Sequence, residues 1–174
     1  MKKSSLKKKT KKVKVIPFNK LPEWRQRVEI AKDVLKQLDM ETYIAESGTY
    51  LTAKVKEFDI QNLHSTEIDK LVKENKITCK VCAKGALFMS HVMKTDNCTY
   101  EKATSMGDRE MGRRLNMFSP SQLEEIEESF EGWFQTNEKS DVAKFIQRTK
   151  MKSDIERMTE IMKNIIKNKG TFKP

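Results

Sequence analysis

Four side chains able to hold a metal or attack a substrate fall within one stretch, TCKVCAKGALFMSHVMKTDNC, from Thr78 to Cys98. Cys79, Cys82, His91 and Cys98 offer three thiolates and one imidazole, a chemically sufficient tetrahedral set for zinc. Their spacing, C-x2-C-x8-H-x6-C, argues against joint use. The intervening AKGALFMS reads as helix, and a helix would part Cys82 from His91 by roughly 13 Å at 1.5 Å per residue. One ion cannot span that. Only a break near Gly85 would bring the two together.

A reactive thiol is the other chemistry this stretch could support, because a helix start and Lys80 or Lys84 would favour a Cys82 thiolate. It lacks a partner. His64 and His91 are the only imidazoles in the chain, and nothing in the sequence pairs either with Cys82. H-E-x-x-H, P-loop, G-x-G-x-x-G and G-x-S-x-G patterns are all missing, so an enzyme has no support from motifs. The stretch is read instead as a core helix over about residues 81–94, binding no metal. Cys82, Ala83, Ala86 and Leu87 would point inward, and Ala83, Gly85, Ala86 and Ser90 would permit close approach of a neighbour. On this reading Cys82→Ser places a hydroxyl in an apolar contact and is costly, while Cys82→Ala is mild.

The elements that would hold such a helix can be read from apolar spacing. Trp24, Val28, Ala31, Leu35 and Leu38 predict an amphipathic helix from Pro22, at its first position, to Met40. ETYIAESGTYLTAKVKEF, with Ser47-Gly48 as a turn signal, predicts a small β-hairpin near residues 43–56 or an extended loop. Ser65 or Thr66 would cap a short helix carrying Ile68, Leu71 and Val72, and Arg109 to Leu115 could add a turn or two. FSPSQLEEIEESFEGWF has Ser119 as N-cap, Pro120 at the first turn and Gln122 to close a capping box. There Leu123, Ile126, Phe130 and Trp133 would be buried, with Glu124, Glu127 and Glu131 turned to water or a basic partner. Ser140 starts a helix through Val142, Phe145 and Ile146. Ser153 with Glu156 makes a second capping box, and Ile155, Met158, Ile161, Met162, Ile165 and Ile166 line a last helix stopped by Gly170. The ten methionines at such spacings are read as core rather than as a plastic binding groove. The fold class is mainly α, a compact bundle of roughly six or seven helices.

Charge divides the 174-residue chain unevenly. Of the formal +10, Lys2, Lys3, Lys7, Lys8, Lys9, Lys11, Lys12 and Lys14 supply +8, leaving +2 for everything after Lys14. Residues 1–14 have too few apolar side chains to offset ordering entropy and are expected to form a disordered arm before a single helical domain over 15–174. Lysines without arginine hold phosphates as point charges, so the arm would bind nucleic acid without reading bases, or an acidic protein partner. A solvated tail is the plain alternative. No apolar run follows the basic start and none approaches a membrane span, which predicts a cytoplasmic protein with no membrane association and reduced thiols. In a eukaryotic host KKKTKK would also serve as a nuclear localisation signal.

The segment Cys79 to Phe88, CKVCAKGALF, resembles a C-x-x-C-A-x-G-A-L segment in uncharacterised small proteins of phages and bacterial mobile elements. The resemblance extends to IPFNKLP with its following helix, to FSPSQLEEIEESFE and to IMKNIIKNKGTFKP. It implies a compact helical phage-type protein without a catalytic residue, its motif centred on Cys82-Ala83 and Gly85-Ala86. The lysine arm and Cys98 fall outside that pattern. Together these readings predict a non-enzymatic accessory protein, phage-encoded and cytoplasmic in a bacterial host, which binds through its arm and carries a separate acidic surface at Glu124 to Glu131. The rival is a zinc protein or enzyme built on Cys79, Cys82, His91 and Cys98.

Overall fold

A computed structural model of the chain describes residues 16–55, 67, 70, 71, 74, 77–95, 108–133 and 140–174. The lysines from Lys2 to Lys14, the Ser65/Thr66 cap with Ile68 and Val72, and Cys98 lie outside the described residues. The chain is mainly helical with a small sheet. A 3-10 turn, Phe18–Lys20, leads into α1 (Glu23–Asp39), β1 (Tyr43–Ala45), β2 (Leu51–Val55), β3 (Ile77–Val81), α2 (Ala83–Thr95), α3 (Asp108–Arg114), α4 (Pro120–Glu131), α5 (Asp141–Thr149) and α6 (Asp154–Lys167). Among the described residues no helix is long and apolar enough to cross a membrane.

Helix α1 forms over the predicted stretch, but Pro22 is its N-cap rather than its first residue. Its buried face is also rotated from the predicted one. Ile30, Ala31, Val34 and Leu38 are enclosed, whereas Trp24 is 44% exposed and Val28 and Leu35 are only half-buried. The reason is packing on several sides, since α1 touches α6, α2 and β1, and Ile30, Ala31 and Val34 are its wholly enclosed residues.

The predicted hairpin does not form. β1 and β2 are strands, and the turn at Ser47-Gly48 is present with Gly48 at φ +72°, but β3 lies between them in the order β1-β3-β2. β3 pairs parallel to β1, with Tyr43 opposite Cys79, and antiparallel to β2, with Leu51 opposite Val81. The turn therefore crosses over the end of β3, and its free N–H groups find carboxylates instead. Ser47 N donates to Asp154 and Gly48 N to Glu131, each at 2.7 Å, tying the sheet to α6 and α4.

Three helix starts use the N-cap serines read from the sequence, although of the box expected between Ser119 and Gln122 only the Ser119 arm is recorded. Ser119 Oγ accepts from Gln122 N at 3.2 Å, Ser140 Oγ from Ala143 N at 3.1 Å, and Ser153 with Glu156 makes both arms of a capping box. Behind these caps Leu123, Ile126, Phe130, Phe145, Met158, Ile161, Met162 and Ile165 are buried; Ile155 is 47% exposed and Ile166 only partly covered, contrary to expectation. α6 ends one residue earlier than a glycine stop would require. Lys169, not Gly170, takes the left-handed C′ position at φ 52°, with Gly170 N bonded to Ile165 O and Lys169 N to Ile166 O in a Schellman arrangement. Gly170 follows at C″, also with positive φ (+87°), and a Cβ there would lie 2.5 Å from Trp24 O.

Candidate functional site

Helix α2 is the middle of the molecule. Every residue from Ala83 to Val92 is buried, so it is covered on all sides rather than on one stripe. The stretch that carries the cysteines thus divides between two elements, with Cys79 on β3 and Cys82 just before α2. The expectation of a core helix holds for Cys82, Ala83, Ala86 and Leu87, none more than 3% exposed. The helix runs unbroken through Gly85 to Thr95, so His91 sits more than two turns along it from Cys82. Among the described residues no group of three or more His, Cys, Asp or Glu side chains is placed to hold a metal ion.

Both described thiols are chemically quiet. Burial pushes Cys79 up to about 12 and Cys82 up to about 11, far from the range of a nucleophilic thiolate at neutral pH. Cys82 does have a structural task, because its Sγ receives the Gly85 N–H at 3.4 Å, the position of an N-cap acceptor. This reverses the expected order of substitutions. Cys82→Ser keeps an oxygen acceptor for Gly85 N–H, whereas Cys82→Ala leaves a buried donor without a partner and should cost about 1 to 2 kcal/mol in urea unfolding. Equal stability of the two variants would contradict the capping role.

His91, the remaining chemistry-bearing residue of the stretch, lies against Phe18 with ring centroids 6.1 Å apart. It is 7% exposed, and its Nδ1 is buried without a hydrogen-bond partner among the described residues. Burial, then the charge of Arg114, lowers its pKa from 6.5 to about 4. The imidazole is therefore neutral at pH 7. Because the folded value lies below the unfolded one, the associated stability is complete above about pH 6.5 and is lost as pH falls toward about 4. Roughly 2 to 3 kcal/mol should disappear over that interval. Denaturant titrations at the two ends check this, and His91→Gln should flatten the difference; an unchanged slope in that variant would assign the acid sensitivity elsewhere.

Two grooves meet beside this histidine. The first, of about 320 Å³, is lined by Phe18, Asn19, Gln26, His91, Thr95, Arg113, Arg114, Asn116 and Met117. The second, of about 780 Å³, lies between α3 and α4 and is lined by Lys84, Arg109, Gly112, Arg113, Asn116, Phe118, Pro120, Leu123, Glu124, Glu127 and Trp133. Arg113 and Asn116 belong to both, so the end of α3 forms a ridge between them. The ridge is cationic. Arg113 is largely exposed while it pairs with Glu110 at 3.1 Å, and Arg114 approaches the same carboxylate at 3.9 Å. No carboxylate is among the described residues lining the smaller groove.

Trp133 was expected inside and is 47% exposed instead. Gly132 explains the difference, since its left-handed φ of +78° ends α4 and turns the chain before Trp133 can join the buried face. The aromatic ring thus becomes groove wall. The acidic face of α4 is likewise partly spent within the fold: Glu127 pairs with the buried Lys84 at 3.1 Å, Glu131 accepts from Gly48, and Glu128 is 7% exposed. Glu124, Glu125, Glu128 and Asp141 line a third groove of about 590 Å³ between α4, α5 and the carboxyl end. Burial raises Glu125 above the usual carboxylate value, with Glu128 and Glu124 adding like charge.

Of the residues singled out from the sequence, the structure buries Cys79, Cys82 and His91, and the eight arm lysines and Cys98 lie outside the described residues. Phe18, Arg109, Arg113, Arg114, Asn116 and the groove role of Trp133 escaped the sequence reading. One signal was available, the Glu131-Gly132-Trp133 order that marks a helix end. Compared with protein-family models, with curated proteins and with solved structures, the chain matches none.

Proposed function

We propose that this is a non-enzymatic accessory protein that binds nucleic acid, its lysine arm and the α3 ridge forming one polyanion-binding face. The carrying observation is where the arm must begin. Lys14 is four residues before Phe18, so its Cα lies within about 14 Å of the groove wall whatever the conformation between them. Lys14 is thereby kept within reach of the groove that Arg113 and Arg114 line, and the other seven lysines follow it along the chain. A polyanion would be drawn to this face and repelled from the acidic groove of α4 and α5.

The larger groove favours unpaired strands. Exposed aromatic rings and arginines along a channel stack bases and hold phosphates without reading sequence, and Trp133, Arg109 and Arg113 supply those groups here, with Glu124 and the Lys84-paired Glu127 on the α4 side leaving the phosphates to the α3 side. The resemblance at Cys79 to Phe88 is in keeping with a phage-encoded protein working in the bacterial cytoplasm, and the two raised thiol pKa values argue against cysteine catalysis. Intrinsic fluorescence tests the reading. In a Trp24→Phe variant, which leaves Trp133 as the only indole, single-stranded nucleic acid should quench the emission saturably, and Arg109→Ala with Arg113→Ala should weaken the response. Emission that does not change while binding is seen by another method would remove the groove from the account.

A further inference from the structure

The small groove at His91 contains an arrangement that neither the core nor the stacking groove explains. His91 is the one histidine on α2, more than nine-tenths buried, and its enclosed Nδ1 has no hydrogen-bond partner among the described residues. Around it stand Arg113 and Arg114 from α3, Asn116 just beyond, and Asn19 from the 3-10 turn. The described lining has two guanidinium groups, neutral amides and no carboxylate. Such a set offers donors and positive charge, which Glu110, outside the lining, offsets only in part because one carboxylate serves both arginines. Guanidinium groups match the tetrahedral oxygens of phosphate, and a water-poor floor strengthens each charge-assisted hydrogen bond made there. The volume, about 320 Å³, is at the small end of the range for ligand sites and suits a phosphoryl group with its waters.

We propose that the His91 groove is a phosphate subsite, in which Arg113 and Arg114 hold the oxyanion and the His91 ring forms part of the wall. The inference rests on the reading of this face as polyanion-binding, and it adds a defined seat for one phosphate. A phosphodiester of a bound strand and a free phosphate present the same oxygens, so the experiment separates them.

The chain has only two histidines, His64 and His91, so ring resonances are assignable with His64→Gln. The full chain would be titrated by NMR with inorganic phosphate and separately with a short oligothymidylate, reading the His91 ring shifts, while fluorescence anisotropy follows the oligonucleotide. Saturable His91 shifts are expected in both titrations, weakened at least about tenfold by Arg113→Ala, whose exposed side chain is not needed for folding. Shifts with inorganic phosphate alone would support the subsite and make its occupant a free phosphate, with the nucleic-acid reading failing separately. Shifts with the oligonucleotide alone would support a phosphodiester seat. If the oligonucleotide binds by anisotropy while His91 stays unmoved in both titrations, or if the shifts are unchanged in Arg113→Ala, the subsite is overturned even though the polyanion face stands.

Discussion

Gly85→Ala should destabilise the fold by more than about 3 kcal/mol, near the upper limit for a single added methyl group. A Cβ at Gly85 would lie 1.9 Å from Tyr50 O and 3.1 Å from Tyr50 C, and both are backbone atoms. Neither can swing aside. The same carbonyl receives Cys82 N–H at 3.4 Å, and Gly85 N–H goes to Cys82 Sγ, so moving Tyr50 away to admit a methyl would loosen the start of α2 as well. Because Tyr50 immediately precedes β2, the clash reaches the sheet. Chemical denaturation measures the loss. A change below about 1 kcal/mol would mean that the first turn of α2 and the approach to β2 are not locked together as described.

Phe130→Ala should cost roughly 3 to 5 kcal/mol. Phe130 is 0% exposed on α4, among the largest fully enclosed side chains, and α4 packs on α2, α5 and α6. Truncation leaves a cavity bounded by several elements, none of which can collapse into it alone. Arg157 also donates to the Phe130 carbonyl, so the backbone at this point is held from α6. A loss below about 1 kcal/mol would indicate an exposed docking face rather than core, because removing an exposed ring creates no void.

These two sites show which features could be read from the residues. Ser119, Ser140 and Ser153 announce helix starts because a cap is made with an N–H two or three residues away, and the chemistry is complete within that span. The middle of the apolar face of α6, Met158 to Ile165, was legible for the same reason, as its spacing is local, while Ile155 and Ile166 at its ends were not enclosed. β3 was missed, since ITCKV gains its meaning only from Tyr43 and Leu51, residues far away in the chain, and its cysteine drew attention to metal chemistry. Gly85 was read as a small residue for helix packing, whereas its missing side chain admits the Tyr50 carbonyl just before β2. The grooves were the least legible feature. Phe18, His91 and Arg113 come from three separate segments, and no spacing in the sequence links them. Trp133 was misplaced because apolar periodicity was continued past Gly132, although that glycine ends the helix.

On the function proposed above, the lysine arm and the α3 ridge bind one polyanion together. The slope of log affinity against log salt for a single-stranded homopolymer tests it most directly, because each neutralised phosphate contributes about 0.7 to the slope. The full chain should show a steep slope. Removing residues 1–14, with their eight lysines, should flatten it and weaken binding by more than about a hundredfold at low salt, while Arg109→Ala with Arg113→Ala in the full chain should lower both to a smaller extent. Equal affinity and equal slope for the full and shortened chains would contradict the account.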